Sequence, residues 1–147
     1  MKLATAIAAV VIAAFGATAV VAQQDPIAAR QALMKANGKA AGAVAKMVKG
    51  EAPFDLATAK KSFASFEEAA AKMPALFPPT SKTGGDTTAS PKIWENMDDF
   101  KAQFVKFGAD AKTAGASIKD LDSLKAALGM VGKDCGSCHE TYRVKKS

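Results

Sequence analysis

The chain has few of the residues that build active sites. Its 147 residues hold one His, two Cys, one Trp and one Tyr. A peroxidase-like enzyme needs a distal His or Arg acid–base group, and His139 is the only His present. A peroxidase-like enzyme is therefore a poor fit. Two Cys and one His make three adjacent soft ligands, one fewer than a closed zinc site takes. No stretch alternates Val, Ile and Thr against polar residues, so a sheet is not expected. A thioredoxin-like C-x-x-C would need a βαβ setting and lacks one here. Ala, Lys, Leu and Met dominate instead, which favours helix. The charge is +6, and the Lys residues are spread along helices rather than clustered with aromatics. That distribution argues against nucleic acid and suits acidic partner proteins.

Long apolar runs are also scarce, with one at the N-terminus. Residues 1–22 carry a single charge, Lys2, then an Ala/Val/Ile-rich run ending Val20-Val21-Ala22. Small residues at the −3 and −1 positions of a cut after Ala22 fit a secretory signal peptide. The run is also long enough to span a bilayer, so an uncleaved anchor is the alternative and the only expected membrane contact. Either way, residues 23–147 are exported, which in a bacterium means the periplasm. They suffice for one domain and not two.

The scarce residues are concentrated in one place. Cys135, Gly136, Ser137, Cys138 and His139 form C-x-x-C-H, the attachment signature of a c-type haem. Thiols three positions apart lie almost one helical turn apart, so both reach the vinyl groups of one porphyrin edge. The adjoining His is then held where a ring nitrogen binds iron as the proximal ligand. The expected cofactor is one covalently bound haem c per chain.

Spacing predicts four helices. The first starts at Asp25 as N-cap with Pro26 at the first helical position and runs to Lys49. Its inward stripe reads Ile27, Arg30, Met34, Gly38, Ala41, Ala45 and Val48. The second runs from Asp55 to Met73 with Leu56, Ala59, Phe63, Phe66, Ala70 and Met73 inward. A loop over 74–90, long for a bundle, is expected to fold over one end. The third starts at Ser90-Pro91, carries Ile93, Met97, Phe100, Phe104, Phe107, Ala111 and Ala114, and stops at Gly115. The fourth carries Leu121, Leu124, Leu128, Val131, Cys135, Cys138 and Tyr142, with Lys145 and Lys146 in its last turn. Steps alternating 3 and 4 pack at small crossing angles, so the expected fold is an all-α, antiparallel up-down-up-down four-helix bundle. With both Cys on the core seam, the porphyrin should lie inside it.

The leader, the four helices and the C-terminal C-x-x-C-H with Tyr142-Arg143 resemble class II cytochromes c, the cytochrome c′-like bundles. The resemblance spans the whole mature chain. Ser90-Pro91-Lys92-Ile93-Trp94 and Leu124-Lys125 look like the low-spin branch in particular. In that branch a Met follows an Arg by four positions on the first helix and binds iron. The high-spin branch has a non-ligating apolar residue there and an open position for gases such as nitric oxide. The resemblance thus implies Met34 as distal ligand and Arg30 beside a haem propionate. At 1.5 Å per residue, Met34 and His139 stand at similar levels from one end of the bundle. Met97 and Met73 stay open as rival ligands. Met47 lies about 20 Å beyond Met34 and on another face. Arg143 either pairs with a propionate or is a solvated helix-end cation, and Tyr142 is expected to pack against haem.

The expected function is a periplasmic electron carrier with low-spin His/Met-ligated haem, exchanging electrons with transient, acidic redox partners. The alternative is a gas-binding protein with an open or displaceable sixth position. The resemblance makes a homodimer through the first two helices available, though no seam requires one.

Overall fold

The computed structural model describes residues 25–145. The proposed leader, the boundary after Ala22 and Lys146 lie outside that range. Four long helices dominate: α1 (Pro26–Val48), α2 (Leu56–Lys72), α4 (Met97–Ser117) and α5 (Leu121–Tyr142), with α3 (Lys92–Glu95) a single turn. No strand occurs among the described residues, and the long helices form the expected bundle.

Local chemistry accounts for the helix starts. Asp25 accepts from the Ile27 amide at 3.0 Å with Pro26 behind it. Asp55 accepts from the Thr58 amide at 2.6 Å. Asp120 and Ser123 form a reciprocal capping box at the start of α5. Each side-chain oxygen satisfies an amide that the helix cannot.

The aromatic stripes of α2 and α4 form the centre. Phe63, Phe66, Phe100, Phe104 and Phe107 are all buried. Phe63–Phe66, Phe77–Phe100 and Phe100–Phe104 meet edge to face at centroid distances of 5.3, 4.7 and 5.1 Å. Such pairs each contribute about 0.5–1.5 kcal/mol beyond area burial. Around the bundle the order is α1, α2, α4, α5, and α1–α5 is the loosest of the four seams.

Several boundaries and faces differ from the sequence expectation. Helix α4 passes through Gly115 to Ser117. A Cβ at Gly115 would stand 2.9 Å from the Phe63 Cβ, so this glycine permits close packing of α4 on α2 rather than ending the helix. The third segment is broken at Asn96, whose φ and ψ of −137° and 62° separate α3 from α4. Helix α5 ends at Tyr142, because Arg143 is extended and bridges antiparallel to Ala89. In the second half of α1 the buried residues are Val44 and Met47, not Ala45 and Val48. Met47 is therefore core. The buried line of α5 runs Leu124, Ala127, Val131, Asp134, Tyr142. Leu121 is exposed, and the two Cys flank that line rather than continue it.

Candidate haem site

A cavity of about 590 Å³ lies along the loose α1–α5 seam. Its lining brings together all seven residues singled out from sequence: Arg30, Met34, Cys135, Cys138, His139, Tyr142 and Arg143. Helix α1 supplies the first two, and α5 with the residue after it supplies the rest. Phe66, Phe104, Phe107 and Ile93 add apolar wall. Gly38, also on the wall, has nothing within 4 Å of where a Cβ would stand. Small residues there leave the width that a flat macrocycle needs.

The methionines separate. Met34 and Met73 line the cavity, and neither Met97 nor Met47 does. Met34 is half-buried on α1, across the seam from His139, whereas Met73 is almost wholly enclosed in the core at the end of α2. Met130 is exposed on α5 itself, the same helix as His139.

Burial and nearby charge set the titration of the groups on the cavity wall. Burial pushes both thiols up, Cys135 with help from the Asp134 charge, Cys138 to about 11 with help from Cys135. No group of three or more His, Cys, Asp or Glu converges to hold a metal ion among the described residues. Burial, then the nearby Arg143 cation, lowers the His139 pKa and favours the neutral imidazole that ligates iron. The two Cys are not joined as a disulfide.

Arg30 ties α1 to the loop between α2 and α3. It is 5% exposed, and each terminal nitrogen makes two hydrogen bonds to the α2–α3 loop. One donates to the Leu76 carbonyl at 3.2 Å and Ser81 Oγ at 2.9 Å. The other donates to the Ser81 carbonyl at 3.1 Å and Thr87 Oγ1 at 2.6 Å. The guanidinium also lies over the Phe77 ring, 4.6 Å from its centroid. The far end of the loop joins α5: the Ser90 amide donates to the Tyr142 carbonyl and the Val144 amide to the Thr88 carbonyl. The long loop is therefore a strap across the end of the seam, tied to α1 and to the end of α5. Tyr142 is buried and donates to Asp99 at 2.5 Å, which anchors the end of α5 on α4. Burial and that carboxylate push its pKa up to about 12.

The cytochrome C′ family model matches residues 25–143, nearly all of the described structure. The chain belongs to the cytochrome c′ family. It is 51% identical over 127 residues to cytochrome c′ of Rhodopseudomonas palustris, covering 86% of this chain and 87% of that protein. It is 42% identical over 147 residues to cytochrome c-556 of Agrobacterium fabrum, covering 99% of each. The solved structure of Rhodopseudomonas palustris cytochrome c′ matches with a TM-score of 0.82 at 50% identity, over 85% of this chain and all of that one. The chain is thus a monohaem protein of this family and carries one covalent haem c. The apolar cavity, with its two cysteines, neighbouring histidine and open space at Gly38, fits that group.

Sequence reading missed three contributors to the site. Asn37 and Asp134 line the cavity, each with a buried oxygen lacking a hydrogen-bond partner. Thr87–Ala89 line it from the strap. A step of three from Val131 along α5 would have reached Asp134. No local pattern announces the strap contacts.

Proposed function

We propose that the protein is a periplasmic electron carrier whose haem iron is held by His139 and Met34. Cys135 and Cys138 supply the two thioether sulfurs. Bound haem c supplies an iron that gains and loses one electron. The observation behind this reading is that Met34 and His139 line one cavity from helices facing each other across the loose seam. A Met sulfur opposite a His nitrogen favours a low-spin iron and a raised potential, as does burial. The chain's own work is to hold two donors on two rigid helices and to exclude water with phenylalanine walls.

Export rests on the leader at 1–22. No described helix is long and apolar enough to cross a membrane. Partners are transient, acidic redox proteins that meet the positive surface, through small interfaces of the kind such encounters use. A homodimer is compatible with this reading and not required by it.

The similarity to both a cytochrome c′ and a cytochrome c-556 keeps a second reading in view. In it the sixth position is open, or Met34 yields to a gas. The ferric absorption spectrum separates the two. A sulfur-to-iron charge-transfer band is expected for the carrier, and a high-spin spectrum would overturn it in favour of the gas binder.

A further inference from the structure

The buried seam of α5 contains one charged residue, and it stands against the haem cavity. Asp134 is 9% exposed, immediately precedes Cys135 and lines the cavity wall. One oxygen, Oδ1, accepts from Lys106 Nζ across the α4–α5 interface. The other, Oδ2, is buried and receives no hydrogen bond. Lys106 is divided between two carboxylates, with Asp110 one turn further along α4 at 2.5 Å. Its side chain is 64% exposed.

This pair is electrically lopsided. Asp110 also lies close to Asp134, so Lys106 and two carboxylates form one cluster, with the Lys106 and Asp110 ends open to water and the Asp134 end buried at the cavity wall. Burying a carboxylate with one oxygen unpaired is costly, and a neutral residue would fill the same seam position without that cost. Packing therefore does not explain the charge.

We propose that Asp134 is a positioning charge that sets the reduction potential of this protein, holding it lower than the apolar cavity alone would. Ferric haem carries one more positive charge than ferrous haem, so a fixed anion favours the ferric form. One electron is exchanged with an external partner, and no bond to Asp134 forms or breaks. The inference rests on haem attachment at Cys135 and Cys138 and not on the sixth ligand, so it holds for either branch. Arg30, the buried cation that lines the same cavity from α1, acts in the opposite sense.

The test is a spectroelectrochemical titration of the haem-loaded protein at neutral pH and fixed ionic strength. Asp134→Asn keeps the shape and removes the charge. Lys106→Gln, at an exposed position, leaves the anion without its partner. The Asn variant should favour the reduced form by about threefold or more in the equilibrium constant against a reference couple, about 28 mV upward. The Gln variant should shift the other way. Loosening of the α4–α5 interface alone would move both variants in one direction. An unmoved potential in Asp134→Asn, or shifts of the same sign in both, overturns the proposal. Should Asp134→Asn fail to fold, Lys106→Gln decides: a lowered potential supports the assignment, and an unchanged or raised one overturns it.

Discussion

Replacing Arg30 by Met would test the strap. Met keeps the apolar stem that lies against Phe77 and removes every donor. Four hydrogen bonds from one guanidinium to Leu76, Ser81 and Thr87 are lost. Bonds from charged groups contribute about 1.5–3 kcal/mol each, but bonds sharing one side chain do not add. The acceptors at Leu76 and Thr87 are only partly buried, so water can recover part of the loss. Relief from burying the cation offsets more. A net cost of about 3 kcal/mol follows, a large share of the roughly 5–15 kcal/mol a domain has. At roughly 3–5 °C per kcal/mol for a domain of this size, the melting temperature should fall by about 10–15 °C. Thermal melts of the ferric protein read the loss. Amide exchange should show faster opening across 81–89 well before the core of α2 and α4 loosens. Arg30→Lys restores the charge but not the fork, and should recover less than half. A melting temperature within about 2 °C of the parent, with protected amides over 81–89, would refute the strap assignment.

Three further outcomes are expected. Changing Cys135 and Cys138 together to Ala should leave haem extractable by acid and organic solvent, and haem still fixed to the denatured double variant would sink the attachment assignment. Lys133 on α5 and Arg143 and Lys145 just after it are exposed, so electron exchange with an acidic partner should slow as salt rises, charges being screened within about 8–10 Å; a flat dependence would contradict docking through this face. Hydrogen bonds from Ser123 hold the Asp120 carboxyl below its ordinary 3.8. A lowered folded pKa gives stability that is present above 3.8 and lost as pH falls through the folded value. Asp120→Asn should therefore flatten that acid limb of the urea midpoint, and parallel curves for the two proteins would contradict it.

How much was legible depended on contrast. In α2 and α4, Phe63, Phe66, Phe100, Phe104 and Phe107 stand out against Lys, Asp and Ala, and their faces were read correctly. In α1 the stretch 40–48 is apolar on nearly every face, with Ala, Gly, Val and Met interrupted only by Lys46, so spacing does not single out one stripe, and the reading falls one residue away, on Ala45 and Val48 rather than Val44 and Met47. Gly115 reads as a helix stop because its reason, the Phe63 side chain a helix away, is not local. The strap is held by bonds spanning 46 to 57 residues, beyond any window of pattern. Asp134 was passed over because a carboxylate breaks an apolar stripe. The C-x-x-C-H motif was legible because it gathers both Cys and the only His into five positions.

The most direct test of the account is the ferric spectrum of Met34→Leu beside that of the parent protein. Leu keeps volume and apolarity, so the fold should lose less than about 1.5 kcal/mol. The neighbours Leu33, Ala32 and Gly38 offer no ligating atom, and Gln31, Lys35 and Asn37 on the cavity wall offer nitrogen or oxygen but no sulfur. The account predicts that the parent shows the sulfur-to-iron band, and that the variant loses it and turns largely five-coordinate and high-spin. Its potential should be lower and its binding of carbon monoxide faster. A low-spin spectrum unchanged in Met34→Leu would contradict the account and hand the sixth position to another group, with Met73 the other methionine on the cavity wall.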